Sequence, residues 1–241
     1  MEYSEFQTLF CKVLQENAIE IPSEDTVQAF YRFDTELHRV NAVTNLTAIR
    51  NTPDAIVKHY ADSLMAAKYI PIGAKVLDIG CGPGFPSIPL AIYRSDLIVI
   101  GLDSTAKKIA FVNQCADLLG LSNLRAISGR AEDAKIAKEL GEFDVVVSRA
   151  VARLNVLCEL CMPYVKIGGF LLAMKAAKAE EEATEAKRCI EILGGEPAVL
   201  HNETLCSNKT CEPRCLIQIS KKKRCPVGYP RAYAQILKKP L

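Results

Sequence analysis

Lys75-Val76-Leu77-Asp78-Ile79-Gly80-Cys81-Gly82-Pro83-Gly84-Phe85-Pro86 is the stretch that decides the fold of this 241-residue chain. Val76, Leu77 and Ile79 form a short apolar run, as a strand buried on both faces of a parallel sheet requires. Gly80, Gly82 and Gly84 then let the backbone turn sharply and bring main-chain N–H groups close to a ligand. A helical pattern over residues 87–94 leads out of the turn. Strand, glycine-rich turn and helix in that order form a cradle for a nucleotide-like cofactor.

The spacing is G-x-G-x-G, with Phe85 where the third glycine of a dinucleotide fingerprint would stand, which disfavours NAD and FAD. S-adenosylmethionine fits better. It has no pyrophosphate to place on a helix N-terminus, but it needs an acid for its ribose hydroxyls. Asp103, at the end of the next apolar run, is that acid, or else it caps the helix that starts near Ala106. Asp78 either binds the cofactor's ammonium, directly or through water, or holds the glycine turn. Phe85 is either a wall of the ligand site or part of the core.

Outward from the turn, apolar runs at 75–79, 97–102, 124–128, 143–147 and 170–174 alternate with helical patterns near 87–94, 106–119, 134–140 and 155–165. That alternation predicts an α/β, Rossmann-like fold with a parallel, doubly wound sheet. A long charged helix over 176–193 and two strands, 198–205 and 215–219, joined by a polar loop, complete it. Upstream, three- and four-residue spacing of Phe6, Leu9, Phe10, Val13 and Leu14, then of Val27, Phe30, Leu37 and Val40, predicts helices separated at Pro22-Ser23, and Thr52-Pro53-Asp54 opens a third. The expected organisation is a helical cap (1–70), a methyltransferase domain (71–220) and a basic tail (221–241). The tail carries Lys221, Lys222, Lys223, Arg224, Arg231, Lys238 and Lys239 and no acid. The net charge of +2 is too mild to imply a nucleic-acid partner by itself. No apolar run reaches membrane-spanning length and the N-terminus lacks a signal-peptide pattern, so a cytoplasmic protein with ten reduced cysteines is expected. Cys206, Cys211, Cys215 and Cys225 follow no paired C-x-x-C plan, so no metal is expected.

Several collinear motifs resemble one family: Asn45-Leu46-Thr47-Ala48-Ile49, Val57-Lys58-His59, Asp62-Ser63-Leu64, the turn from Asp78 to Pro86, Ser148-Arg149-Ala150-Val151-Ala152 and Tyr229-Pro230-Arg231. Together they are similar to the bacterial 16S ribosomal RNA guanine-N7 methyltransferases, the glucose-inhibited division protein B family, over about residues 45–241. The resemblance implies a cytoplasmic enzyme that uses S-adenosylmethionine to methylate one guanine of small-subunit ribosomal RNA, free or in the particle. It also implies cofactor positions at Gly80 and Phe85, Asp103, Ala131-Glu132 and Arg149. Cys81 stands where threonine is common in the family, and residues 232–237 replace a Gly/Pro-rich segment, so the tail departs from the pattern.

Guanine N7 carries a lone pair and no proton, so its methylation needs alignment and no general base. No catalytic dyad is therefore expected, and a monomer suffices. Arg149 pairs the cofactor carboxylate, contacts the guanine edge, or forms a salt bridge with Asp78 or Asp144. His59 contacts RNA or is satisfied by packing. Asn41, Asn45 and Thr47 contact RNA or cofactor, or make a turn. Arg125, Arg130, Arg153 and the tail suit phosphate contact. Competing readings are a methyltransferase for another RNA or a small molecule, and a non-catalytic RNA-binding protein, which intact Gly80, Gly82, Gly84 and Asp103 oppose.

Overall fold

The computed structural model describes residues 1–241 except Ala150, Ala177 and Lys209. Helices α1 (Tyr3–Glu16) and α2 (Glu24–Thr44) come first, and the Ser23 hydroxyl accepts from Thr26 N to cap α2. A third helical segment begins as α3 (Thr52–Ala55), widens into a π-helical turn (Ile56–Ala61) and closes as α4 (Asp62–Leu64). The alternating part follows: β1 (Lys75–Ile79), α5 (Ser87–Tyr93), β2 (Ile98–Asp103), α6 (Ala106–Leu119), β3 (Leu124–Ser128), α7 (Ala134–Leu140), β4 (Phe143–Arg149), α8 (Leu154–Cys161) and β5 (Val165–Lys175). Helices α9 (Ala179–Glu185) and α10 (Lys187–Ile192), strands β6 (Val199–Ser207) and β7 (Thr210–Ser220), and α11 (Tyr233–Lys238) finish the chain.

The seven strands lie in the order β3-β2-β1-β4-β5-β7-β6. The first five are parallel, and β7 runs antiparallel to both β5 and β6, so the sheet is mixed where a parallel one was expected. The reason is the connection, because strands joined by a hairpin must be antiparallel. Successive residues face opposite layers. Val76, Val99, Val145 and Val147 join α1, α2, α5 and α6 in one core, while Leu77, Ile100 and Val146 join α8, α9 and α10 in the other. The helices that precede β1 thus share a core with one face of the sheet.

Three local expectations change. The single helix over 176–193 is two helices, α9 and α10. The polar loop between the last strands is itself paired, with Ser207 opposite Thr210. Pro213 is tolerated because β5 pairs β7 only over Cys215–Ser220, so this arm of the hairpin has one free side. Finally, Cys206 and Cys211 face each other across the arm with Cα atoms 4.1 Å apart and are joined in a disulfide, against the expectation of reduced thiols throughout. The other eight cysteines are free.

The tail is pinned as well as basic. Lys221 is 3% exposed and its Nζ donates to Met162 O, while Arg231 forks onto both oxygens of the fully buried Glu159 at 2.6 and 2.7 Å. Neither cation is free for phosphate. Lys223, Arg224, Lys238 and Lys239 remain exposed. Ile236 of α11 is fully buried in the core beside α8.

Candidate functional site

A cleft of about 400 Å³ opens at the carboxyl ends of β1, β2, β3 and β4, where open α/β sheets bind their ligands. Of the nine residues singled out for the cofactor, Gly80, Gly82, Asp103, Ala131, Glu132 and Arg149 line it. Gly82 adopts φ +55° and a Cβ there would meet open space, so the backbone itself faces the cleft. Asp103 stands beside it. Its Oδ2 accepts from Gly82 N at 3.0 Å and its Oδ1 from Thr105 N at 2.8 Å, so one carboxylate ties the glycine turn to the end of β2. Ala131 is held by Tyr164, whose hydroxyl donates to its carbonyl at 2.7 Å, and Glu132 pairs with Arg130 at 2.7 Å.

Asp78, Gly84 and Phe85 are not on the cleft. Asp78 shares the face of Val76, is fully buried, and its Oδ2 accepts from both the N–H and the hydroxyl of Ser87 at the start of α5. It therefore braces the turn against α5 through one oxygen, and among the described residues nothing hydrogen-bonds the buried Oδ1. Gly84 has φ +100° and a Cβ would collide with Ile88, so it is a packing glycine. Phe85, 4% exposed, packs in the core with the His59 ring stacked on it at 4.1 Å.

Arg149 makes an ion pair with neither Asp78 nor Asp144; the latter is taken by Lys166. Its Nη1 donates to Lys58 O at 2.9 Å and to Asp62 Oδ2 at 2.8 Å, and its Nη2 lies 3.4 Å from His59 Nδ1. The π-helical turn presents Lys58 and His59 to this guanidinium, and α4, which follows it directly, adds Asp62, in keeping with the concentration of such turns at functional sites. Asp62 also accepts from Arg214 Nε at 2.8 Å, so one carboxylate joins α4, β4 and β7. Asn41 takes the turn-making role, with its amide bonded to Thr47 O, Ile49 O and Thr47 N. Asn45 ends α2 in the left-handed conformation and accepts from Arg50, and Thr47 contacts His59 Nε2 at 2.8 Å.

Residues missed in the sequence include Val151, Leu160 and Tyr233, all on the cleft. Tyr233 arrives because α11 folds back, and Arg130 lies 5.4 Å from its ring. The departure at 232–237 was its one sequence signal. Of the scattered arginines, Arg130 and Arg153 are already paired, with Glu132 and Glu185, and Arg125 is exposed. Among the described residues no group of three or more His, Cys, Asp or Glu is placed to hold a metal.

Two buried titratable groups near the turn have opposite pH signatures. Burial pushes the Asp78 carboxyl up to about 7, so its contribution to stability is full below pH about 4 and is lost as pH rises through 7. Burial, aided by Arg149, pushes His59 down to about 4, so its contribution is full above its ordinary 6.5 and is lost as pH falls to 4. The two slopes oppose each other between pH 4 and 6.5. Asp78→Asn is expected to leave a stability that rises with pH over that window, and His59→Gln one that falls. Urea unfolding at stepped pH checks both, and parallel curves for the two variants would contradict the assignment.

A family model described as rRNA small subunit methyltransferase G matches residues 26–209. The chain is 41% identical to the ribosomal RNA small subunit methyltransferase G of Oceanobacillus iheyensis, over 96% of this chain and 98% of that one. The chain belongs to the rRNA small subunit methyltransferase G family. The Clostridium botulinum (strain Alaska E43) protein of the same name is 38% identical over 98% of this chain and 99% of its own. Among solved structures, a Bacillus cereus O-methyltransferase in complex with SAH superposes with a TM-score of 0.57 at 18% identity, covering 91% of this chain and all of that one, which shows the shared fold. As a member of the rRNA small subunit methyltransferase G family, the chain is a methyltransferase and its methyl donor is S-adenosylmethionine. None of its helices, among the described residues, is long and apolar enough to cross a membrane.

Proposed function

We propose that the chain transfers a methyl group from S-adenosylmethionine to N7 of a specific guanine in 16S ribosomal RNA, free or in the small-subunit particle, as a cytoplasmic monomer. The observation that carries this reading is near-full-length similarity to proteins named for that RNA, in a chain that gathers Gly80, Gly82, Asp103, Ala131, Glu132 and Arg149 around one cleft. The cleft suits the donor. It has bare backbone at Gly82, and an Asp103 carboxylate with lone pairs left over for two hydroxyls.

Bound there, S-adenosylmethionine supplies an electrophilic methyl on a sulfonium. Asp103 would accept from its ribose hydroxyls, and Ala131, Glu132 and Arg149, which line the same cleft, would help to hold it. The N7 lone pair forms the new bond to carbon while the C–S electron pair returns to sulfur. No proton moves, so no side chain acts as a base, and the chain contributes by holding the reactants in line.

The test offers labelled S-adenosylmethionine and the protein to small subunits from a strain lacking the activity, then maps the modified base by reverse-transcription stops. Label at one guanine of 16S RNA is expected. Subunits that stay unlabelled, or label confined to another RNA, would overturn the reading.

A further inference from the structure

A second cavity, about 660 Å³, adjoins the cofactor cleft and shares Arg149 and Val151 with it as a common wall. Met174 and the buried Leu216 give it apolar surface suited to a flat ring. It is also lined by Glu182, at the start of α9. This carboxylate is held in place: Oε2 accepts from Leu154 N at 2.8 Å and makes an ion pair with Lys175 Nζ at 2.8 Å, and Lys175 is itself tied to Ala152 O. Both contacts use one oxygen, and among the described residues no hydrogen bond reaches Oε1. Of the other two carboxylates that line this cavity, Asp62 has each oxygen taken by an arginine, and the exposed Glu212 pairs with Arg214.

We propose that this cavity receives the target guanine and that Glu182 reads its Watson–Crick edge, accepting from N1–H and the N2 amino group. This rests on the reading above and names the residue that would make the site specific for guanine. The unbonded Oε1 is an acceptor only, and its two lone pairs match the two adjacent donors. Adenine would turn the N1 lone pair against it and is rejected. N7 lies on the other side of the purine, and in the proposed pose it faces the Arg149–Val151 wall that the cavity shares with the cofactor cleft. An extruded base read at this edge is the usual arrangement when chemistry is done on a nucleobase.

The test compares subunits reconstituted with guanosine or inosine at the mapped position. Inosine keeps N7 and N1–H but lacks the N2 amino group. The wild-type protein is expected to favour guanosine by roughly 10- to 100-fold in kcat/KM, the worth of one hydrogen bond to a charged acceptor. Glu182→Gln is expected to bring that ratio to within about threefold of one, and to leave S-adenosylmethionine affinity by calorimetry unchanged. A variant that still discriminates, or a wild-type protein that never does, overturns the Glu182 assignment while the methyltransferase reading stands. A wild-type protein that methylates neither substrate overturns both.

Discussion

Asp103→Ala is expected to weaken S-adenosylmethionine binding by at least 100-fold while leaving affinity for RNA unchanged. The carboxylate offers about four lone-pair sites, and two are used by Gly82 N and Thr105 N. The remaining two face the cleft that Asp103 lines. Hydrogen bonds to a charged acceptor are worth about 1.5–3 kcal/mol each, so losing two ribose contacts removes about 3–6 kcal/mol, or roughly 10²–10⁴ in dissociation constant. The alanine also frees the Gly82 N–H and loosens the turn, so the loss should lie toward the upper end. Asp103→Asn keeps one carbonyl acceptor and should fall between. Calorimetric titration decides it: equal affinity in wild type and Asp103→Ala would leave Asp103 with only its role of tying the turn to β2.

The parts of the site that were legible in the sequence share one property, that their signal is local. An apolar run, three spaced glycines and an acid at the end of the following strand mark a cradle because backbone conformation and strand period are set within a few residues. Asp78 lies in the same stretch and its two readings stayed open, although the period of two puts it on the face of Val76. That alternation was available and outranks nearness to the turn. Phe85 and Gly84 carry no comparable mark, since whether a turn residue looks into the core or the ligand depends on which helices pack over it. The hairpin arm was hidden by Pro213, which reads as a loop residue until the absence of a β5 neighbour is known. Tyr233 was hidden because α11 returns to the cleft from the far end of the chain.

Arg149 shows the same limit at longer range. Its place at the sheet's carboxyl edge was legible and a salt bridge was one of its readings, but its partner was not legible, because Asp62 lies 87 residues earlier on a helix and nothing local links the two. Ion-pair rules read from spacing apply within one helix. Here the partner is chosen by how the third helical segment packs across the end of β4.

That choice makes Asp62 the residue whose loss should cost most. Asp62→Ala is expected to lower stability by about 3–5 kcal/mol, the usual cost of breaking a buried pair by deleting one partner. The Asp62 side chain is 11% exposed and holds two guanidiniums, Arg149 and Arg214, whose side chains are 16% and 19% exposed. Without it, two partly buried positive charges face each other with nothing between. Arg149→Ala should cost less, because Asp62 keeps Arg214 and one cation leaves with the mutation. Asp62→Asn should fall between the two, since it keeps an acceptor oxygen but no charge. Denaturant unfolding at neutral pH separates the cases, with a lower midpoint and an unchanged slope as the signature of a pure stability loss. Activity should drop with stability, because Arg149 and Val151 form the wall between the two cavities and Asp62 is what fixes Arg149 in it. An Asp62→Ala protein as stable as wild type would mean that the three segments are held by packing alone. The loss of activity would then have to be sought in the position of Arg149 itself, read as a fall in kcat with the affinity for S-adenosylmethionine retained.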